Sequence, residues 1–292
     1  MSNNSSSSSS SSNSSKSEIK LLDHIIYSLI PYKGYGVRAW SRRDVVNEVE
    51  YAFKGWFSPY AQAFVRPGEE LKAVVKAPNS IYMARVFVGD GLDELKRSGV
   101  VSHIALIPLD IVTKLPLAEI DREMTNYTVS KGIGLGEIEP LRIGLVERYE
   151  GGREGRGEGR EEVREEVDED LEYLKKVVDF EKAEKILTAI SKPESKIIVI
   201  FKRDIFSRAR LVYALAKMFL MHKVTEYIIT VEKPIDNILI EFTKTIIVLD
   251  KMFPVRSTED WTVIKIGDGE KEGKVIETDI RDTLKRIGYK VD

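Results

Sequence analysis

Hydrophobic and polar positions alternate in the first half of the chain and gather into continuous runs in the second. His24–Tyr32 (HIIYSLIPY) is rich in β-branched and aromatic residues and predicts a strand. Tyr35–Ser41 (YGVRAWS) alternates, with Val37, Ala39 and Ser41 on one face and Gly36, Arg38 and Trp40 on the other. Lys33-Gly34 between them predicts a hairpin. Val45, Val46, Val49 and Phe53 then recur at helical spacing, with Ser41 at the expected N-cap and Asp44 in the first turn. Ser80–Asp90 and Val100–Val112 predict buried strands, the first enclosing Arg85. Leu117–Tyr127 predicts a helix and Pro140–Tyr149 a closing strand. The order β-β-α-β-β-α-β implies an α+β domain on a mostly antiparallel sheet over residues 19–149.

The pattern changes at Glu150. Residues 150–170 are an acidic Gly/Glu/Arg linker, and Val163, Val167, Leu171, Leu174 and Val178 mark an amphipathic helix leading out of it. Beyond it, helices are expected at Phe180–Ile190, Ser207–Lys223 and Asp279–Gly288. Strands are expected at Lys196–Phe201, Tyr227–Glu232, Thr245–Asp250 and Thr262–Asp268. Apolar strands separated by a helix form βαβ units, so residues 171–292 predict an α/β domain with a short, largely parallel sheet. Residues 1–18 form a Ser-rich tail with no apolar core, expected to be disordered.

Composition narrows the chemistry. The chain has no cysteine, which excludes disulfides, thiolate metal sites and cysteine nucleophiles. Gln62 is its one glutamine, and 32% of the residues are charged, a composition expected of a thermophilic, archaeal source. Residues 1–149 carry 18 Lys/Arg against 17 Asp/Glu, residues 150–170 carry 4 against 10, and residues 171–292 carry 23 against 20. The negative charge is thus concentrated in the linker, and neither flanking region has the basic excess of a non-specific nucleic-acid binder. No apolar run reaches the roughly 20 residues of a membrane span, so a cytoplasmic protein is expected.

Three histidines, His24, His103 and His222, lie far apart without a zinc-ligand spacing, and no catalytic signature or metal site is read. The strand-to-helix turn after Phe201 contains no glycine, so neither a P-loop nor a dinucleotide fingerprint is present in sequence. Lys202, Arg203, Ser207 and Arg208 at that turn are candidate anion-binding residues. The glycines of Lys131–Pro140 (KGIGLGEIEP) have the wrong spacing for a fingerprint and mark a loop.

Gly34, Tyr35, Ser41, Arg97, Gly99 and His103 carry a resemblance. A glycine–aromatic hairpin ending in Ser, followed by an Arg/Gly-flanked turn into a strand that opens with His, resembles the N-terminal domain of the GTPase-associated protein 1 family. The similarity extends from Ile25 to about Pro234, where the later part resembles that family's middle domain. It implies a non-enzymatic regulatory or adaptor protein whose partner is a Ras-like GTPase, with no cofactor. Against that family, this chain is expected to depart by being short, without a large C-terminal effector portion. Arg38, Trp40, Arg42, Arg97 and His103 are the candidate partner-binding residues, on the expectation that Arg38 and Trp40 share a strand face. The alternative expectations are a nucleotide- or anion-binding α/β protein, and nucleic-acid binding through residues 171–292.

Overall fold

A computed structural model describes residues 18–52, 65, 67–68, 70–90, 92, 98–145, 168–231, 243–251, 261–267 and 278–290. Among them the chain runs β1 (Glu18–Leu22), β2 (His24–Ile30), β3 (Gly34–Trp40), α1 (Asp44–Ala52), β4 (Glu70–Lys76), β5 (Ser80–Gly89), β6 (Gly99–Pro108), α2 (Leu109–Val112), α3 (Leu117–Lys131), β7 (Gly136–Glu137) and β8 (Leu141–Leu145). It continues with α4 (Glu169–Val177), α5 (Phe180–Ile190), β9 (Ser195–Phe201), α6 (Ile205–Met221), β10 (Tyr227–Val231), β11 (Lys244–Leu249), β12 (Thr262–Ile266) and α7 (Thr278–Ile287).

Ten of these strands form one sheet, in the order β12-β9-β11-β10-β4-β5-β6-β2-β3-β7. β1 and β8 form a separate antiparallel ribbon. In the large sheet β9, β10, β11 and β12 are mutually parallel, and β4, β5, β6, β2 and β3 are antiparallel. The expectation of two sheets is corrected at β4, which pairs antiparallel with β10 through Ala73↔Thr230 to Lys76↔Tyr227. The physical reason is the edge. Two separate sheets would each leave a row of unpaired backbone groups there, and joining β4 to β10 satisfies both rows. β4 itself escapes sequence inspection because Lys72 and Lys76 interrupt its apolar run ELKAVVK.

Helices cover the two faces unequally. On one face α2 to α7 bury a single core that includes Met83, Ile107, Ile120, Leu187, Val199, Val212 and Val248. On the other, α1 places Val45 and Val49 over Ala73, Val75, Tyr82 and Ile104. The first core draws side chains from both the antiparallel and the parallel regions, so the boundary expected at residues 150–170 divides the chain without dividing this core.

The local signals are legible. Asp168, Asp179 and Asp204 cap α4, α5 and α6 by accepting from backbone amides. Gly288, just past α7, has φ +95°, the left-handed conformation that ends a helix. Val163 and Val167, the first part of the expected linker helix, lie outside the described residues. The glycine loop is more ordered than its spacing suggests. Gly136-Glu137 pairs in parallel with Ala39-Trp40 and lies at the edge of the sheet.

Candidate functional site

Register dictates the chemistry of the sheet's covered face. Lys72 lies opposite Arg85, and Arg85 opposite His103, so three adjacent strands place a polar row across an otherwise apolar face. These three side chains are buried. Lys72 Nζ lies 2.7 Å from Glu70 Oε2 and 2.6 Å from Asp121 Oδ1. The Arg85 guanidinium donates to Glu70 Oε1 at 2.5 Å, with its Nε 3.6 Å from Asp121 Oδ1. Burial works against ionisation of Glu70, but the Lys72 and Arg85 cations outweigh it and hold the carboxyl below its ordinary range. Asp121 comes from α3, and from α6 the buried Tyr213 hydroxyl faces it. Burial, reinforced by that carboxylate, pushes Tyr213 far above the usual phenol range. Two cations and two carboxylates therefore compensate each other, and Asp121 ties α3 to the sheet through Lys72 and Arg85.

A second polar joint lies beside the first. α3 begins after Pro116, which supplies no capping side chain. Asp170 of α4 fills that role by accepting from Leu117 N at 2.6 Å. Burial, with Asp168 as a like-charged neighbour, raises the Asp170 carboxyl to about 6. Lys217 of α6 donates to Asp168 Oδ2 at 2.8 Å and also to the Val112 carbonyl at the end of α2. Helix ends from the first half of the chain are thus completed by side chains from the second.

Further along the row, His24 and His103 form a buried pair, His24 Nδ1 to His103 Nε2 at 2.8 Å. His24 Nε2 meets the Glu139 carbonyl at 2.8 Å, and Tyr127 of α3 stands edge-on to His24. Burial lowers the affinity of both rings for a proton, most strongly at His103.

The end of the sheet formed by the β2–β3 hairpin differs in kind. Pro31–Lys33 make the turn, closed by Lys33 N donating to Ile30 O at 3.1 Å. Tyr32 sits there at φ 61° and is 92% exposed. A left-handed φ at a bulky residue is costly, and such strain gathers at functional positions. Arg38 knits this end together. Its guanidinium donates to the carbonyls of Leu29, Leu92 and Gly134. Leu135, next to the Gly134 carbonyl that Arg38 holds, and Val129 of α3 are exposed apolar side chains. Tyr35 packs against Gly99 and its hydroxyl accepts from Val100 N at 3.3 Å, and a Cβ at Gly99 would lie 2.7 Å from that hydroxyl.

These placements revise the site residues expected from sequence. Arg38 is committed to three carbonyls and does not present its charge. A β-bulge in the β2–β3 pairing leaves Arg38 as the extra residue, so it does not share a face with Trp40. Trp40 instead joins Val37 against the core under α1. Arg42 is exposed but paired with Asp23 and Asp44. His103 is fully buried in the ring pair, and Arg97 lies outside the described residues. Ser41 does not cap α1, because it donates to Asp23 Oδ1 and accepts from His24 N.

The anion-site candidates are also redirected. Lys202 and Arg203 are exposed, whereas Arg208 is buried and donates to the Arg203 carbonyl. The N-terminus of α6 is occupied by Asp204, whose carboxylate accepts from Ser207 N at 2.9 Å and Ser207 Oγ at 2.8 Å. A carboxylate already sits where an anion would bind.

Sequence inspection missed Lys72, Asp121, Asp168, Asp170, Tyr213 and Lys217, together with the exposure of Tyr32 and Leu135. A lysine or arginine inside an apolar strand, as at Lys72 and Arg85, is the available signal, and it predicts that a carboxylate must be supplied from elsewhere. No protein-family model matches this chain, and no curated protein matches it. Among the described residues no helix is long and apolar enough to cross a membrane, and no group of three or more His, Asp or Glu is placed to hold a metal ion.

Proposed function

We propose that this chain is a non-enzymatic regulatory or adaptor protein that engages a folded protein partner, a Ras-like GTPase, through the hairpin end of its sheet. The observation that carries the reading is Tyr32, an aromatic side chain held out at 92% exposure on a strained, left-handed turn. Leu135, beside the Gly134 carbonyl that Arg38 holds, adds exposed apolar area. Aromatic anchors on a rigid support are what a protein interface uses to gain affinity without a large ordering cost. Arg38 supplies the rigidity by tying the hairpin to the Leu92 and Gly134 segments.

The GTPase class rests on the resemblance carried by Gly34, Tyr35, Ser41, Arg97, Gly99 and His103. In this reading the protein binds and positions its partner. Arg38 and Arg42 are engaged within the chain and do not act as arginine fingers on the partner's nucleotide.

The test uses purified Ras-like GTPases from the source organism, loaded with GDP or with a non-hydrolysable GTP analogue. Titration calorimetry is expected to show binding that is nucleotide-dependent and weakened at least about tenfold by Tyr32→Ser. No binding at about 0.1 mM partner, or binding unchanged by Tyr32→Ser and Leu135→Ser together, overturns the reading.

A further inference from the structure

The buried histidine pair has a proton inventory that its hydrogen bonds dictate. A backbone carbonyl can only accept, so His24 Nε2 carries the proton directed at Glu139 O. Neutral His24 then has a bare Nδ1, and His103 Nε2 must donate to it. Neutral His103 is left with a bare Nδ1 that meets no partner among the described residues. The Met124 carbonyl of α3 faces that ring.

Two added protons have different consequences. The first can settle on His103 Nδ1 and be donated to Met124 O, with both existing bonds retained. The second can reach only His24 Nδ1, which already accepts from His103. Two N–H groups would then face each other across the 2.8 Å contact, and that contact must break.

The groups around the pair set how readily this happens. Between β1 and β2, Asp23 favours charge on His24. From β5 and β4, Arg85 and Lys72 oppose charge on His103. From α3 come the Tyr127 ring and the Met124 carbonyl, and Glu139 lies beside Tyr127. Arg42 neutralises part of Asp23 at 3.0 Å.

What the pair holds is the edge of the sheet. Residues Gly136-Glu137 pair with Ala39-Trp40, Ile138 N donates to Trp40 O at 2.9 Å, and His24 grips the next carbonyl, that of Glu139. We propose that His24 and His103 form a two-proton latch, which fixes residues 136–140 to β3 while the rings are neutral or share one added proton and releases them when both rings are charged. The segment it releases pairs with Ala39-Trp40, so acid would loosen the end of β3 remote from the hairpin turn. The latch is read from ring and strand hydrogen bonds and stands whether or not the hairpin binds a partner.

The experiment is a pH titration of the intact protein by ring-15N NMR, which is tractable with three histidines. It is run alongside amide hydrogen exchange corrected for intrinsic rates. At neutral pH both His24 and His103 are expected to show protonated Nε2 and bare Nδ1. As pH falls, Ile138 protection should drop at least tenfold, in step with charging of the second ring and before β9 and β11 amides lose protection. His103→Gln, which can still donate to His24, is expected to keep Ile138 protected to lower pH. Protonated Nδ1 on either ring at neutral pH overturns the proposal, as does independent titration of the two rings with Ile138 unaffected. Should His103→Gln fail to fold, the wild-type ring signals and Ile138 protection decide the matter alone.

Discussion

The same face of one sheet is built in two ways. Over β9, β10, β11 and β12 it is apolar, with Ile197, Val199, Phe201, Ile229, Ile246, Val248 and Ile264 beneath the helices. Over β4, β5 and β6 it carries Lys72, Arg85 and His103 among Val74, Met83 and Ala105. The apolar region needs only helices of complementary shape, because hydrophobic burial is non-directional. The polar region needs particular partners at particular distances, because a buried cation without a carboxylate is strongly destabilising. That requirement selects α3, which brings Asp121, and Tyr213 of α6 then faces the same carboxylate. The parallel region therefore supplies packing, while the polar row gives the helices above it their alignment.

Removing a carboxylate from the polar row is the strongest way to break this comparison. Asp121→Ala leaves Lys72 and Arg85 undercompensated and is expected to cost about 3–5 kcal/mol by urea unfolding. Asp121→Ala combined with Lys72→Met should recover part of that loss. A cost below about 1 kcal/mol for the single variant would mean that the row does not align the helices.

Asp170 tests the second polar joint through pH. Its carboxyl is raised to about 6 in the folded protein from an ordinary 3.8, so the folded state holds the proton more tightly than the unfolded state. The stabilisation it contributes is present below 3.8 and lost as pH rises through about 6. Asp170→Asn can still accept from Leu117 N without the buried charge. It is expected to match the parent near pH 3 and to exceed it by about 3 kcal/mol at pH 8. Equal gains at both pH values would argue against a buried, raised carboxyl.

In the apolar region a single methylene is the appropriate perturbation. Ile246→Val in β11 should cost about 1 kcal/mol, the amount associated with a lost core methylene, and be nearly independent of pH from 4 to 8. The smallest effect is expected at the hairpin. Tyr32→Gly relieves a left-handed φ and should raise stability by about 0.5 kcal/mol while removing the exposed ring. A loss of stability there would mean that Tyr32 serves the fold.

Parts of the molecule were open to sequence inspection for definite reasons. α5 was legible at Phe180–Ile190 because its apolar positions recur at helical spacing, and Asp179 caps it in the structure. The parallel strands were visible because strands buried on both faces are continuously apolar. β4 was not, because its two lysines imitate a surface segment, and β7 was not, because two residues carry no period. Ser41 was misplaced for a related reason. Its residue type suits a helix cap, but Asp23 and the His24 amide use its hydroxyl first.

The candidate site was legible only in fragments. Arg38 stood out by type, yet the bulge in β3 turned it towards carbonyls and away from Trp40. His103 stood out as a polar residue in an apolar strand, but no spacing links it to His24, 79 positions away. Periodicity and capping residues act over a few positions, so the sequence by itself determined the helices, most strands and the parallel character of the second half. Which strand closes against which is a choice between distant segments. Only the tertiary structure decided that β4 joins β10, that Asp121 answers Lys72 and Arg85, and that Asp170 caps α3. In each case the physical reason is the same: a buried edge, charge or helix end must be satisfied by whatever group folding brings to it.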